Sequence, residues 1–180
     1  ERFGPNPNVI GWQTDNEFSR TCYCDRCRQE FQQFLAQRYG TLDSLNAHWS
    51  TSYWSQTYSD WSQIPIPIGS HNPGLMLEFK RFVTAINRKF QKYQIDILRQ
   101  HLLPGVWITH NYMGWFDGFD HYDFSEDLDM ASWDYYVGTG HHDYLATGAT
   151  HDLTRGFKRK NYWVMETQPG SVNWSSINNM

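Results

Sequence analysis

The chain has 180 residues, the size of one domain, and is 39% apolar and 17% aromatic, so it can bury a core. Its net charge of −4, with scattered basic residues and one short cluster at Lys158-Arg159-Lys160, excludes the concentrated positive footprint of a nucleic-acid binder. No apolar run approaches the roughly 20 residues of a membrane span. Nine Trp and eleven Tyr offer flat faces on which sugar rings stack, as well as ordinary core filling.

Taken in chain order, Asn8-Val9-Ile10-Gly11-Trp12-Gln13-Thr14 predicts a short strand running into Asp15-Asn16-Glu17. A helix follows from about Arg26 to Tyr39, with Phe31, Phe34, Leu35 and Tyr39 on one face and Gly40 as its stop. A short helix after Thr41 turns Leu42, Leu45 and Trp49 inward. Asn72-Pro73 is a helix start, with an N-cap followed by Pro in the first turn. Phe79, Phe82, Val83, Ile86, Phe90, Tyr93, Ile97 and Leu98 then repeat at spacings of three and four, up to Pro104-Gly105. Val106-Trp107-Ile108-Thr109 predicts a strand ending at His110-Asn111, and Asp129 to Trp133 a strand ending at Asp134. A helical stretch covers about Thr150 to Lys158, and Tyr162-Trp163-Val164-Met165 predicts a strand ending at Glu166.

Four strands with long connections, each running from apolar residues into a polar tip, describe a parallel α/β sheet with its site at the strand ends. A (β/α)₈ barrel places its site there too, and the alternative is a doubly wound open sheet. The absence of GxGxxG or a P-loop after any strand argues against nucleotide binding. Four strands are half a barrel and would leave two edges unpaired, so residues 1–180 are expected to be part of one larger catalytic domain.

Glu17 and Glu166 each sit just past a predicted strand, far apart in sequence. Glycoside hydrolysis needs such a pair, one carboxyl to protonate the leaving oxygen and one to attack or to activate water. A single strand-end Glu is more often a cap or half of an ion pair. Cys22-x-Cys24-x-x-Cys27 holds the only cysteines, three in six residues. Thiolates at this spacing can wrap a tetrahedral zinc, which wants a fourth ligand that is not a cysteine of this chain. The competing reading is free thiols in a reduced compartment. His110, His121, His141, His142 and His151 lack metal-pair spacing and read as loop and site-supporting residues.

At these residues the chain resembles glycoside hydrolase family 42, the bacterial β-galactosidases. The matching stretches are Gly11 to Glu17, Cys22 to Cys27, Trp54-Ser55-Gln56, Thr109 to Gly114, Ser132-Trp133-Asp134, Met165 to Gly170 and Val172-Asn173-Trp174. The resemblance implies a (β/α)₈ TIM barrel, of which this chain covers roughly strands 4 to 7, and hydrolysis with retention at the sugar. It implies Glu17 as general acid/base on the fourth strand and Glu166 as nucleophile on the seventh. It further implies Asn16 on the sugar 2-hydroxyl, and Tyr136 and Trp174 lining the galactose pocket. In some members a zinc is bound at the position of Cys22, Cys24 and Cys27, with a fourth cysteine upstream, outside this chain. A β-galactoside substrate, a cytoplasmic location and homotrimers built through later domains follow from the same resemblance. The chain departs from the family at Phe18-Ser19, which replaces Tyr-Gly, and in a shorter segment between Tyr136 and Thr150, which bears on leaving-group contacts.

The competing functions are a sugar-binding barrel without catalysis, a β-fucosidase or α-arabinosidase specificity, and a zinc-stabilised interaction domain. Retention of both glutamates counts against loss of catalysis.

Overall fold

The computed structural model describes residues 2–69, 71–136 and 143–168. In chain order the elements are β1 (Gly11–Gln13), α1 (Asp25–Tyr39), α2 (Leu42–Trp49), α3 (Pro73–Arg99), β2 (Trp107–Thr109), β3 (Asn111–Met113), α4 (His121–Phe124), β4 (Ser132–Tyr135), α5 (Tyr144–Lys158) and β5 (Trp163–Thr167). Short 3₁₀ turns at Thr51–Trp54 and Trp61–Gln63 lie between α2 and α3. The chain divides into two compact units. One comprises Glu1–Ser19, Asn87–Asp117 and His121–Met180, and the other Arg20–Ile86 and Gly118–Asp120.

The second unit is a helical cluster around an aromatic core. Phe31, Leu35, Leu45, Trp49, Ile64, Leu75, Phe79 and Phe82 are buried together, as the spacings of three and four require once those faces meet. The helix ends follow capping chemistry. Gly40 ends α1 at φ +74, a backbone conformation that costs glycine nothing. Thr41 Oγ1 accepts from Ser44 N–H at 3.2 Å to open α2, and Asn72 Oδ1 accepts from Gly74 N–H at 2.8 Å to open α3. Glu78 is buried, but Tyr39 donates to it at 3.1 Å and Arg38 and Arg81 pair with it at 2.9 and 2.5 Å, which makes its charge tolerable there.

The first unit holds the strands, all parallel: β1 beside β2, and β3 beside β4 beside β5. Strands β2 and β3 are one chain segment interrupted only at His110, so the second strand runs on to Met113 instead of stopping at His110-Asn111. Gly11 faces Trp107 in the β1–β2 register, and a Cβ there would lie 2.2 Å from the indole ring, so the pairing demands glycine. Between β4 and β5 the register shifts: Trp133 faces Val164 while Asp134 faces Glu166, leaving Met165 as an extra residue. Such a bulge re-aims the side chain that follows it, here Glu166.

The remaining differences from the sequence expectation are the start of α5 and the presence of α4. Asp143 Oδ1 accepts from Ala146 N–H at 2.9 Å, so α5 begins at Tyr144 rather than near Thr150. The short helix α4 had no signal in the periodicity because one turn holds too few residues to show one. Among the described residues the strands form no closed barrel. Trp163 and Val164 on β5 are 44% and 40% exposed, and Ile10 beside β1 is 63% exposed, so both outer strands carry uncovered apolar side chains.

Candidate active site

The segments at the tips of β1, β4 and β5 bring three carboxyl groups together. One oxygen each from Glu17, Asp134 and Glu166 lies within 4.8 Å of the others. Asp134 is buried, while Glu17 and Glu166 are half-buried and open to an approaching molecule. Sequence reasoning had Asp134 only as the end of a strand. The period of two in the strand ending Ser132-Trp133-Asp134 was the available signal that its side chain shares a face with other strand tips.

Asn111 sits at the centre, fully buried. Its carbonyl oxygen accepts from Glu17 N–H at 3.3 Å. Its amide donates to Asp134 Oδ2 at 2.6 Å, to Asn16 Oδ1 at 2.9 Å and, more weakly, to Glu166 Oε1 at 3.4 Å. On the other side Tyr136 O–H donates to Glu166 Oε2 at 2.5 Å. That bond to a carboxylate, followed by desolvation, pushes the phenol up to about 12, so Tyr136 stays a donor. Glu166 thus has a hydrogen-bond donor on each oxygen.

Burial first, and then the negative charge of Glu166, push Asp134 up to about 7. The Asn111 hydrogen bond works the other way, and the proximity of Glu17 adds to the rise. Asp134 therefore keeps its proton to a higher pH than an ordinary carboxyl.

The segment carrying Glu17 is strained: Asp15 and Glu17 adopt φ +50 and +41, left-handed conformations rare outside glycine. Gln13 Nε2 donates to Asp15 O and Asn16 Oδ1, which holds the turn from the β1 side.

Of the expected site residues, Glu17, Asn16, Tyr136 and Glu166 meet in this cluster, with Tyr136 on the Glu166 carboxylate. Trp174 lies outside the described residues. Cys22, Cys24 and Cys27 bring their sulfurs within 4.8 Å of one another at the start of α1. The Cys24 thiol is lowered to about 7, first by the Cys27 backbone N–H and then by the Cys22 and Cys27 thiols. Cys27 is pushed up to about 12, chiefly by its hydrogen bond with Cys22. Three converging soft donors, one of them readily a thiolate, fit a zinc ion lacking its fourth ligand.

No helix among the described residues is long and apolar enough to cross a membrane. The model of glycoside hydrolase family 42, described as β-galactosidase, matches residues 1–180. The chain is 40% identical to β-galactosidase BgaA of Thermus sp over 99% of its own length and 31% of that protein's. It is 39% identical to β-galactosidase BglY of Alicyclobacillus acidocaldarius, over 98% of this chain and 27% of that protein. Among solved structures it is similar to the β-galactosidase of Bacillus circulans, with a TM-score of 0.90, 32% identity and coverage of 99% of this chain and 28% of that one. It is also similar to the enzyme of the psychrophilic Marinomonas ef1, with a TM-score of 0.88 at 36% identity, over 99% of this chain and 31% of that one. The chain therefore spans less than a third of the length of these relatives.

Proposed function

The chain belongs to glycoside hydrolase family 42, and from that membership we propose that it carries the catalytic pair of a retaining β-galactosidase, with Glu166 as nucleophile and Glu17 as general acid/base. The observation that carries this reading is the approach of the two carboxyls, whose nearest oxygens are within 4.8 Å. Retaining enzymes hold their carboxyls about 5–5.5 Å apart, whereas inverting ones need roughly 6.5–9.5 Å to seat a water. Glu166 attacks the anomeric carbon as the bond to the leaving oxygen breaks, and Glu17 gives that oxygen its proton. Glu17, now a carboxylate, then takes a proton from water as the water oxygen displaces Glu166, and the site returns to its first state. In this reading Asn16, which accepts from Asn111, meets the sugar 2-hydroxyl, and Tyr136, which donates to Glu166, orients the nucleophile.

The strands fit the fourth to seventh of a (β/α)₈ barrel within a larger catalytic domain. Support comes from their parallel order, from the site at their C-terminal tips and from the uncovered apolar residues on the outer strands. A zinc on Cys22, Cys24, Cys27 and one ligand from elsewhere would be structural, tethering the segment that begins five residues after Glu17. Cysteines kept reduced, as zinc ligation requires, suit a cytoplasmic enzyme, and by the family resemblance the complete protein would assemble as a trimer through other domains.

The test uses the two alanine variants of the complete enzyme with aryl β-galactosides and azide. Glu166→Ala should abolish turnover of every substrate, and azide should yield the α-azide. Glu17→Ala should lose most of its rate on poor leaving groups, by a factor of about 10²–10⁴, and azide should rescue it as the β-azide. The reverse pattern would exchange the two roles, and two unimpaired variants would end the glycosidase reading.

A further inference from the structure

We propose that His110 is a positioning residue for the general acid/base, its imidazole holding from both sides the strained turn that presents Glu17. This rests on the assignment of Glu17 made above. His110 occupies the single interruption between β2 and β3, and its side chain is completely buried. Its Nδ1 lies 2.6 Å from Thr14 O, and its Nε2 lies 3.3 Å from the backbone N of Phe18. A carbonyl can only accept and an N–H can only donate, so both contacts are satisfied by one species, the neutral ring with its proton on Nδ1. Burial supports that species by lowering the imidazole's pKa to about 4.

Thr14 and Phe18 are the residues on either side of Asp15-Asn16-Glu17. Thr14 is itself tied to the neighbouring strand, since its N–H donates to Thr109 O at 2.8 Å. The ring therefore closes a loop whose base is anchored in the sheet and whose crest carries Glu17 at φ +41. Left-handed conformations at two non-glycine residues persist only where the surroundings over-determine them. Here His110, between β2 and β3, and Asn111, the first residue of β3, capture consecutive N–H groups of the turn: Asn111 takes that of Glu17 and His110 that of Phe18. The Phe18 ring also lies on the imidazole, with centroids 4.6 Å apart, and Phe124 meets both rings at 5.4 and 5.6 Å. Asn111 touches Glu166 and Asp134 as well, whereas among the described residues the two ring nitrogens of His110 meet the segment bearing Glu17.

A residue that holds the turn of the proton donor leaves a kinetic signature that general loss of structure does not. The experiment compares kcat/KM of the complete enzyme on a dinitrophenyl β-galactoside, which needs little protonation, and on an alkyl β-galactoside, which needs much. His110→Phe keeps an aromatic ring of similar size and removes both polar contacts. It should lower kcat/KM on the alkyl substrate at least about tenfold more than on the dinitrophenyl one, part of the roughly 10²–10⁴ that acid catalysis supplies. His110→Gln, which can still donate and accept, should show the same selectivity at a smaller size. If His110→Phe does not fold, His110→Gln decides alone. Equal losses on the two substrates, or no loss, overturn the proposal. Glu17→Ala is run beside them. Selective loss there with uniform loss in the His110 variants sinks the positioning role only, whereas uniform loss in Glu17→Ala removes the acid/base assignment on which it rests.

Discussion

Replacing Asn111 with Ala should dismantle the carboxyl cluster, because one amide serves four groups. Its two hydrogens face three acceptors, so the bonds to Asp134 at 2.6 Å and Asn16 at 2.9 Å carry most of the energy and the 3.4 Å contact to Glu166 little. The Asp134 bond decides the size of the effect. Asp134 Oδ1 is buried and meets no donor, so the variant would leave Oδ2 without its Asn111 donor as well. A hydrogen bond to a charged group contributes about 1.5–3 kcal/mol, and the neutral partners add less than their sum, so a total loss of about 2–4 kcal/mol is expected. Asp134 should also hold its proton to higher pH, since the Asn111 bond is what opposes the rise. The assay is urea unfolding of the complete protein carrying Asn111→Ala, Asp134→Asn or both, at about pH 9, well above the raised Asp134 pKa, so that the carboxylate form is present. With Asp134→Asn in place the cost of Asn111→Ala should shrink by about 1 kcal/mol, because a neutral amide left without a donor is cheaper to bury than a carboxylate. Strict additivity in this cycle, or a loss below about 0.5 kcal/mol for Asn111→Ala alone, would refute the reasoning.

Asp134 also predicts a pH dependence. Its folded pKa is raised from 3.8 to about 7, so its contribution to stability is fully present below the lower value and is lost as pH rises through the upper. Asp134→Asn should therefore gain on the parent between about pH 4 and 7 and level off above, and a difference that stays flat across urea titrations in that range excludes the raised pKa. Gly11→Ala forces a methyl to within 2.2 Å of the Trp107 ring, which itself lies 4.8 Å from Trp163. Overpacking of this kind costs about 1–3 kcal/mol, or several degrees in Tm by thermal scan, and an unchanged Tm would show that the rings yield freely. For the cysteines, elemental analysis of complete protein purified without chelator should find one zinc per chain. Cys24→Ser should lower that content and the Tm more than it lowers turnover per folded molecule, and absence of metal from the parent would remove the site.

The longer helices and the strands, the candidate carboxyl pair and the thiol cluster were legible in the sequence, because each depends on local chemistry, whereas the one-turn α4 was not. Periodicity at spacings of three and four drew α1 and α3, Gly40 and Asn72 marked their ends, and Cys22, Cys24 and Cys27 are neighbours on the chain before they are neighbours in space. The family resemblance was carried by short motifs at the strand tips for the same reason. What only the tertiary structure decided is how those tips combine. The register shift that sets Glu166 opposite Asp134, the third carboxyl between the pair, the Asn111 amide that joins them and the neutral His110 bracing the turn of Glu17 all join residues tens of positions apart. Their geometry depends on strand register and on the burial of polar groups, quantities set by packing between segments and invisible to any pattern read along one of them.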